Sequence, residues 1–199
     1  MKNNNKDIII ERPVLVHYAP NEVIPIIKKS GLFNEEKLCQ EDPSKKEGLR
    51  DRYLSIIKDK YGIPEEKIKA ENILHFLKMW NPLHTKSVFA FFGRIPESIP
   101  QYKQYLKTHT PIRILLKKLN GADEDFKFFG VNFPGMKNWV ELQPKHIHNL
   151  CDKKKDWFEY FMASDKNGFF NQVPHCAIHA PNGVVPAFSL KVLDDKFIR

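Results

Sequence analysis

The chain has little of what staples, anchors or exports a protein. Its three cysteines, Cys39, Cys151 and Cys176, are odd in number and irregular in spacing, so they imply no disulfide framework and fit a reducing compartment. Its nine glycines are scattered, which leaves no glycine-rich loop of the kind that cradles phosphates. No apolar run approaches the roughly 18 residues that a membrane span requires. The first residues, Met1-Lys2-Asn3-Asn4-Asn5-Lys6, have no apolar core and do not read as a secretory signal. The expected location is cytoplasmic, or a host cytoplasm reached without a conventional signal peptide, as for an effector. No internal repeat and no low-complexity linker is visible.

What is present describes a folding chain. Hydrophobic residues make up 42% and aromatics 12% of it, well above what a disordered segment carries. Fourteen prolines call for many turns and short elements, which argues against a helical bundle. The formal charge of +8 favours anionic partners such as an acidic protein, nucleic acid or a phosphate-bearing cofactor. That charge is dispersed: the densest run, Lys153-Lys154-Lys155, is flanked by Asp152 and Asp156. A general contribution to solubility accounts for it as readily.

Read in order, residues 1–7 form a flexible tail, and Ile8–Ile10 and Val14–Val16 have strand composition. Asn21 is placed to cap a helix that carries Val23, Ile26 and Ile27 on one face and ends at Gly31. Residues 34–48 are charged and read as loop. Helical spacing of apolar residues predicts helices over Leu49–Tyr61 and from Pro64 to Trp80, closed by Gly62 and Asn81-Pro82. Strands are expected at Ser87–Phe92, Ile112–Leu116, Phe126–Phe133, Trp139–Leu142, His175–His179 and Phe188–Leu193. Short helices are expected at Pro100–Leu106, Pro144–Leu150 and Asp156–Met162, and turns at Asn120-Gly121 and Asn182-Gly183. The fold class this gives is α+β, one domain over residues 1–199, with helices mainly in the first half packed on a mostly antiparallel sheet core from the second half.

The most informative stretch is Pro13 to Leu32. A short buried strand exits on His17-Tyr18 and turns at once into a capped helix. Polar aromatics at such an exit are held rigidly yet stay accessible, which suits the floor of a ligand cleft.

This stretch resembles the start of ADP-ribosyltransferase folds, in the branch of DarT-like enzymes and tRNA 2'-phosphotransferases. The matching residues are His17-Tyr18 and Ile27-Lys28-Lys29-Ser30-Gly31-Leu32. The resemblance implies NAD as substrate, with the main chain of His17 near the nicotinamide amide, its ring near the ribose, and Tyr18 beside it. It further implies that the Ser87–Phe92 strand is the second motif strand, with Ser87 in the site and Phe91 or Phe92 stacked on nicotinamide, and that Val185-Pro186 marks the family's end. A late-strand glutamate would stabilise the oxocarbenium-like transition state. At that strand the chain has His175 and Cys176 instead. Trp139-Val140-Glu141-Leu142-Gln143 offers an E-x-Q arrangement whose second position, the family's glutamate, is Gln143. Either Glu141 or His175 takes the catalytic role, or the active site is degenerate.

Other constellations point elsewhere. His146-x-His148-x-x-Cys151 and His175-Cys176-x-x-His179 are zinc-capable residue types, which would serve a metal-dependent hydrolase, but neither has C-x-x-C spacing. On a strand, His175 and His179 share a face and Cys176 points away. Cys151 and Cys176 are also candidate thiol nucleophiles beside these histidines, though no flanking signature marks either. Tyr102, Lys103, Tyr105, Lys107 and Arg113 interleave aromatics with cations, as a non-enzymatic module binding nucleic acid or protein would; the same pattern fits a solvated helix face.

Overall fold

A computed structural model describes residues 15–92, 107–120, 125–131, 139–143, 147 and 175–193. The elements in chain order are β1 Leu15–Pro20, α1 Ile24–Ser30, β2 Leu32–Phe33, α2 Glu35–Glu41, α3 Lys45–Tyr61, α4 Ile73–Trp80, β3 Ser87–Phe92, β4 His109–Ile114, α5 Leu116–Asn120, β5 Lys127–Val131, β6 Val140–Leu142, β7 His175–His179, β8 Val184–Val185 and β9 Leu190–Val192. The class is α+β. Seven strands form one antiparallel sheet in the order β6-β5-β7-β3-β1-β4-β9, and β2 pairs with β8 apart from it. Among the described residues, four of the five helices lie in the first half of the chain, which also supplies β3, the middle strand of the sheet, and β1 beside it, against the expectation that the sheet comes from the second half.

Those two central strands barely hold each other. β1 pairs with β4 at five positions, Val16 to Pro20, and β3 pairs with β7 at five positions, Ser87 to Phe91. Between β1 and β3 only Leu15↔Phe92 and Val16↔Phe91 are in register. Both strands then run on side by side without pairing. Asn21 accounts for part of this, because it fastens the end of β1 to the β4 side: its amide donates to the Thr108 carbonyl at 2.9 Å and its Oδ1 accepts from the Thr110 hydroxyl at 2.7 Å. Pro20, which would face Ser87 in the same register, adds to this further along, since it offers β3 no N–H. The sheet is therefore two half-sheets, β1-β4-β9 and β6-β5-β7-β3, joined at two residue pairs.

One face of the sheet is the main core. Leu15, Ala19, Val88, Ala90, Phe92, Ile112, Ile114, Cys176 and Ile178 pack there against Ile24 and Ile27 of α1 and Leu116 and Leu119 of α5. Alternation along each strand sends Val16, Tyr18, Phe89, Phe91 and His175 to the opposite face. A second apolar cluster belongs to the helices of the first half: Cys39, Leu49, Ile57, Ile68, Ile73 and Leu77.

Several element boundaries differ from expectation. Residues 35–41 are helical, because Asn34 caps α2 by accepting from the Lys37 amide at 2.8 Å and Glu35 and Glu36 occupy the first turn. Asn21 does not cap α1, since its side chain is engaged with Thr110 and Lys107. The second helix starts at Ile73, preceded by two single 3-10 turns at Glu65–Lys67 and Ala70–Asn72. β4 begins three residues earlier than expected, at His109, and Leu116 already belongs to α5. Ala187–Ser189 is a 3-10 turn, so the last strand is only Leu190–Val192. Ser87–Phe92 and His175–His179 form as read, and Gly183 takes the positive φ of the expected turn. The tail 1–7, Ile8–Ile10, the 100–106 and 156–162 helices, and all of 144–150 but the buried Ile147 lie outside the described residues.

Candidate functional site

The site is organised where the two half-sheets part. Continued by one hydrogen-bonded pair, two residues on, the β1–β3 register would bring Tyr18 opposite Phe89. Instead, the Phe89 carbonyl is met by the His17 ring, with Nδ1 2.8 Å from the oxygen. A carbonyl oxygen only accepts, so Nδ1 carries the proton, and in the neutral ring Nε2 is left as an acceptor. His17 is half-buried between Leu15 and Ala19 along the strand. Desolvation pushes its pKa down, the Phe89 hydrogen bond works against this, and the positive charges of His109 and Arg52 add to it. The imidazole is thus held neutral, with a fixed tautomer.

Main-chain direction follows from the same pairing. The Asn21 amide meets the Thr108 carbonyl, so alternate residues 21, 19 and 17 direct their peptide groups at β4 and residues 16, 18 and 20 direct theirs at β3. The peptide turned toward the gap is that of Tyr18, and not, as expected, that of His17.

The remaining candidates divide. Tyr18 is 5% exposed, and its ring meets Phe91 edge-on at 5.9 Å. His175 is in register with Phe91, and its ring lies 5.4 Å from that of Phe89. These four rings share the face opposite the main core, whereas His17 alternates with Tyr18 on β1, falls with Leu15 and Ala19 on the core side, and meets β3 at the Phe89 carbonyl. Ser87 starts β3, is 2% exposed, and donates its hydroxyl to the Leu83 carbonyl at 2.8 Å, so it serves the turn. Glu141 is exposed on β6, at the sheet edge. Its ladder runs Glu141↔Phe129↔Ala177↔Phe89. At about 4.8 Å per strand, four strand spacings put it roughly 19 Å from β1, so it does not share a ligand atom with His17.

Sequence reading passed over a second set of residues. His84, in the turn before β3, is ringed by aromatics: Trp80 stacks on it at 5.1 Å, Tyr53 meets it at 5.3 Å, and Phe89 lies 4.9 Å away. Its Nδ1 is 3.3 Å from Glu35 Oε2, an ion pair only when the imidazole is protonated. The distance suits a hydrogen bond but the alignment does not, and both atoms are buried without one. Tyr53 donates its hydroxyl to Glu35 Oε1 at 2.9 Å; burial, followed by the Glu35 charge, raises that hydroxyl's pKa far above its ordinary value. Charged residues in a stretch read as loop, and a histidine in a connecting turn, gave no periodic signal. Only the Asn34-Glu35-Glu36 capping pattern was there to be found.

Among the described residues no group of histidine, cysteine and acid side chains is arranged to hold a metal ion. His146, His148 and Cys151 lie outside them, and Cys176 is fully buried on the core face. A polar cavity of about 370 Å³ opens beside Glu36, Lys37, Lys86 and His179, and His17, Tyr18, Phe91 and His175 do not line it. Among the described residues no helix is long and apolar enough to cross a membrane. No family model matches the chain, and neither a curated protein nor a solved structure matches it.

Proposed function

We propose that the chain is an NAD-consuming, ADP-ribosyltransferase-like domain that receives the nicotinamide end of NAD where β1 and β3 part. The observation that carries this reading is the interrupted ladder, with the His17 ring on the Phe89 carbonyl at 2.8 Å. A primary carboxamide, with one acceptor and two donors, is matched to the main chain of a strand. Tyr18, Phe91 and Phe89 supply flat apolar surface for the pyridinium ring. His175, on the same face as these rings, is offered to a ribose hydroxyl, and His17 holds Phe89 in place through its carbonyl. Arg52, exposed on α3 and close enough to depress the His17 pKa, suits the pyrophosphate.

The chemistry is cleavage of the bond between nicotinamide and ribose. The electron pair leaves with nicotinamide, which departs neutral, and positive charge develops on the ribose. A nucleophile of the acceptor attacks that carbon and loses its proton to solvent or to a nearby base. His175, two strands from β1 and in register with Phe91, is better placed than Glu141 to act on the reacting ribose. Apolar walls that exclude water strengthen each of these electrostatic contacts.

Thermal unfolding with and without NAD, together with assay of released nicotinamide, tests the reading. The wild-type chain is expected to be stabilised by NAD. His17→Ala should abolish the shift, His175→Ala should cut turnover by at least about tenfold, in line with the worth of one positioned catalytic group, and Glu141→Gln should change neither. No shift in the wild-type protein would sink the proposal. A second reading, a non-enzymatic binding module, draws on Trp80, which is 38% exposed with the Lys60 ammonium 4.6 Å over its ring. It predicts salt-sensitive capture of labelled nucleic acid or acidic protein with no response to NAD.

A further inference from the structure

The segment leading into β3 is fastened to α2 at two successive residues. The Glu36 amide donates to the Thr85 carbonyl at 3.0 Å, and the Thr85 hydroxyl donates to Glu36 Oε1 at 2.7 Å, an oxygen that Lys78 also approaches to 2.9 Å. One residue earlier on each side, Glu35 Oε2 faces His84 Nδ1 at 3.3 Å, while Glu35 Oε1 accepts from Tyr53.

The two fastenings are unlike in kind. Glu36 is paired and hydrogen-bonded near the surface, an arrangement that accounts for itself. Glu35 and His84 are 9% and 6% exposed, and their facing atoms lack an aligned hydrogen bond. Such a pair is a poor source of stability, because desolvation offsets its attraction and an apolar pair of the same volume often serves as well or better. Its neighbours give it a purpose. The His84 ring packs on the Phe89 ring at 4.9 Å, and the Phe89 carbonyl is the acceptor of the His17 ring. A single line of contacts runs from Glu35 through His84 and Phe89 to His17.

We propose that Glu35 and His84 are a positioning pair for the His17 site: they fix Phe89 where β1 and β3 part, and so keep its carbonyl on the His17 ring and off the main chain of β1. Phe89 is the residue that would meet Tyr18 if the ladder closed by one more step. A β3 entry segment free to drift toward β1 would let that step form and displace the ring. The pair opposes this from the far side, by tying the segment to α2 and, through Tyr53, to α3. The inference concerns the geometry of the site, and it rests on the NAD reading only for its consequence in binding.

The test replaces the pair by apolar residues of similar size, Glu35→Leu with His84→Phe, and follows the His17 Nδ1–H proton and ring tautomer by NMR on nitrogen-labelled protein. The expected result is a folded variant with an unchanged or higher melting temperature, loss of the protected Nδ1–H signal, and ring shifts averaged between tautomers. Glu35→Gln alone, which still accepts from Tyr53 and still reaches His84, should retain the signal. If the double variant does not fold, His84→Gln is scored in the same way. A folded variant that keeps the His17 signal unchanged overturns the proposal. Loss of that signal in a protein whose wild-type form never responds to NAD would uphold the positioning role and remove the NAD reading, so the two failures are separable.

Discussion

At the scale of single residues, the His17 ring does two jobs that are usually split between residues. It satisfies the Phe89 carbonyl of β3, and its tautomer leaves a lone pair on Nε2. Its lowered pKa, caused chiefly by desolvation and then by His109 and Arg52, ties stability to pH. Above the ordinary histidine value of about 6.5, folded and unfolded chains both carry a neutral ring, and His17 adds no pH dependence. As pH falls below that value the unfolded chain takes up a proton that the folded chain resists, so stability declines until the folded-state pKa is reached. A melting-temperature series from pH 7.5 to pH 5 should therefore slope downward with acid, and His17→Gln should flatten part of that slope. An identical slope in the variant would show that the ring titrates freely. That His17 belongs to the first strand was legible in the sequence, but the expected exit at His17-Tyr18 was not found, because pairing with β4 carries β1 on to Pro20. That its partner is a main-chain carbonyl of β3, 72 residues away, was not legible, because carbonyls leave no mark in composition. Glu141 was singled out for its side-chain chemistry, and its distance from β1 depends on strand order.

At the scale of elements, glycines separate the tolerant positions from the constrained ones. Gly31 ends α1 at φ +87°, and a Cβ there would stand 2.4 Å from the Val185 carbonyl oxygen. Gly31→Ala is expected to destabilise the fold by about 2–4 kcal/mol, the combined cost of a forbidden backbone angle and a main-chain clash, and to loosen the β2–β8 pair that follows it. Gly48, inside α3, has nothing within 4 Å of such an atom, and Gly48→Ala should stabilise by about 0.5–1 kcal/mol. Chemical denaturation of the two variants checks both signs. Elements with steady apolar spacing or β-rich composition, such as α3, β3 and β7, were readable from their residues. α2 was not, since its seven residues hold together by capping and by contacts to the 84–85 turn, and α4 starts late because the segment after Pro64 breaks into single 3-10 turns.

At the scale of the whole molecule, a sheet joined at its centre by two residue pairs is stiff within each half and compliant between them. Apolar clusters buttress each side: one under β1 and β3 against α1 and α5, the other within α2 to α4. The α+β class and the division of helices and strands along the chain were legible from periodicity alone, but strand order depends on long-range pairing that no local pattern records. The +8 net charge acts at this scale as well. If it draws the NAD pyrophosphate toward the gap, the NAD-induced thermal shift should shrink as salt rises from about 0.05 M to 0.5 M, where screening contracts from over 10 Å to a few ångströms. A salt-independent shift would assign binding to contacts inside the gap alone.

The strand order also bears on how the chain is made. β7, one of the last strands in sequence, links the β5–β6 hairpin to β3, and β2 waits for β8 across some 150 residues. While a ribosome is still emitting the middle of the chain, β3 lacks its β7 partner and stands exposed with three phenylalanines, Phe89, Phe91 and Phe92. The nascent chain must shelter that strand until its last quarter emerges. Assembly is thus expected to be late, slow and dependent on contacts between distant parts of the chain.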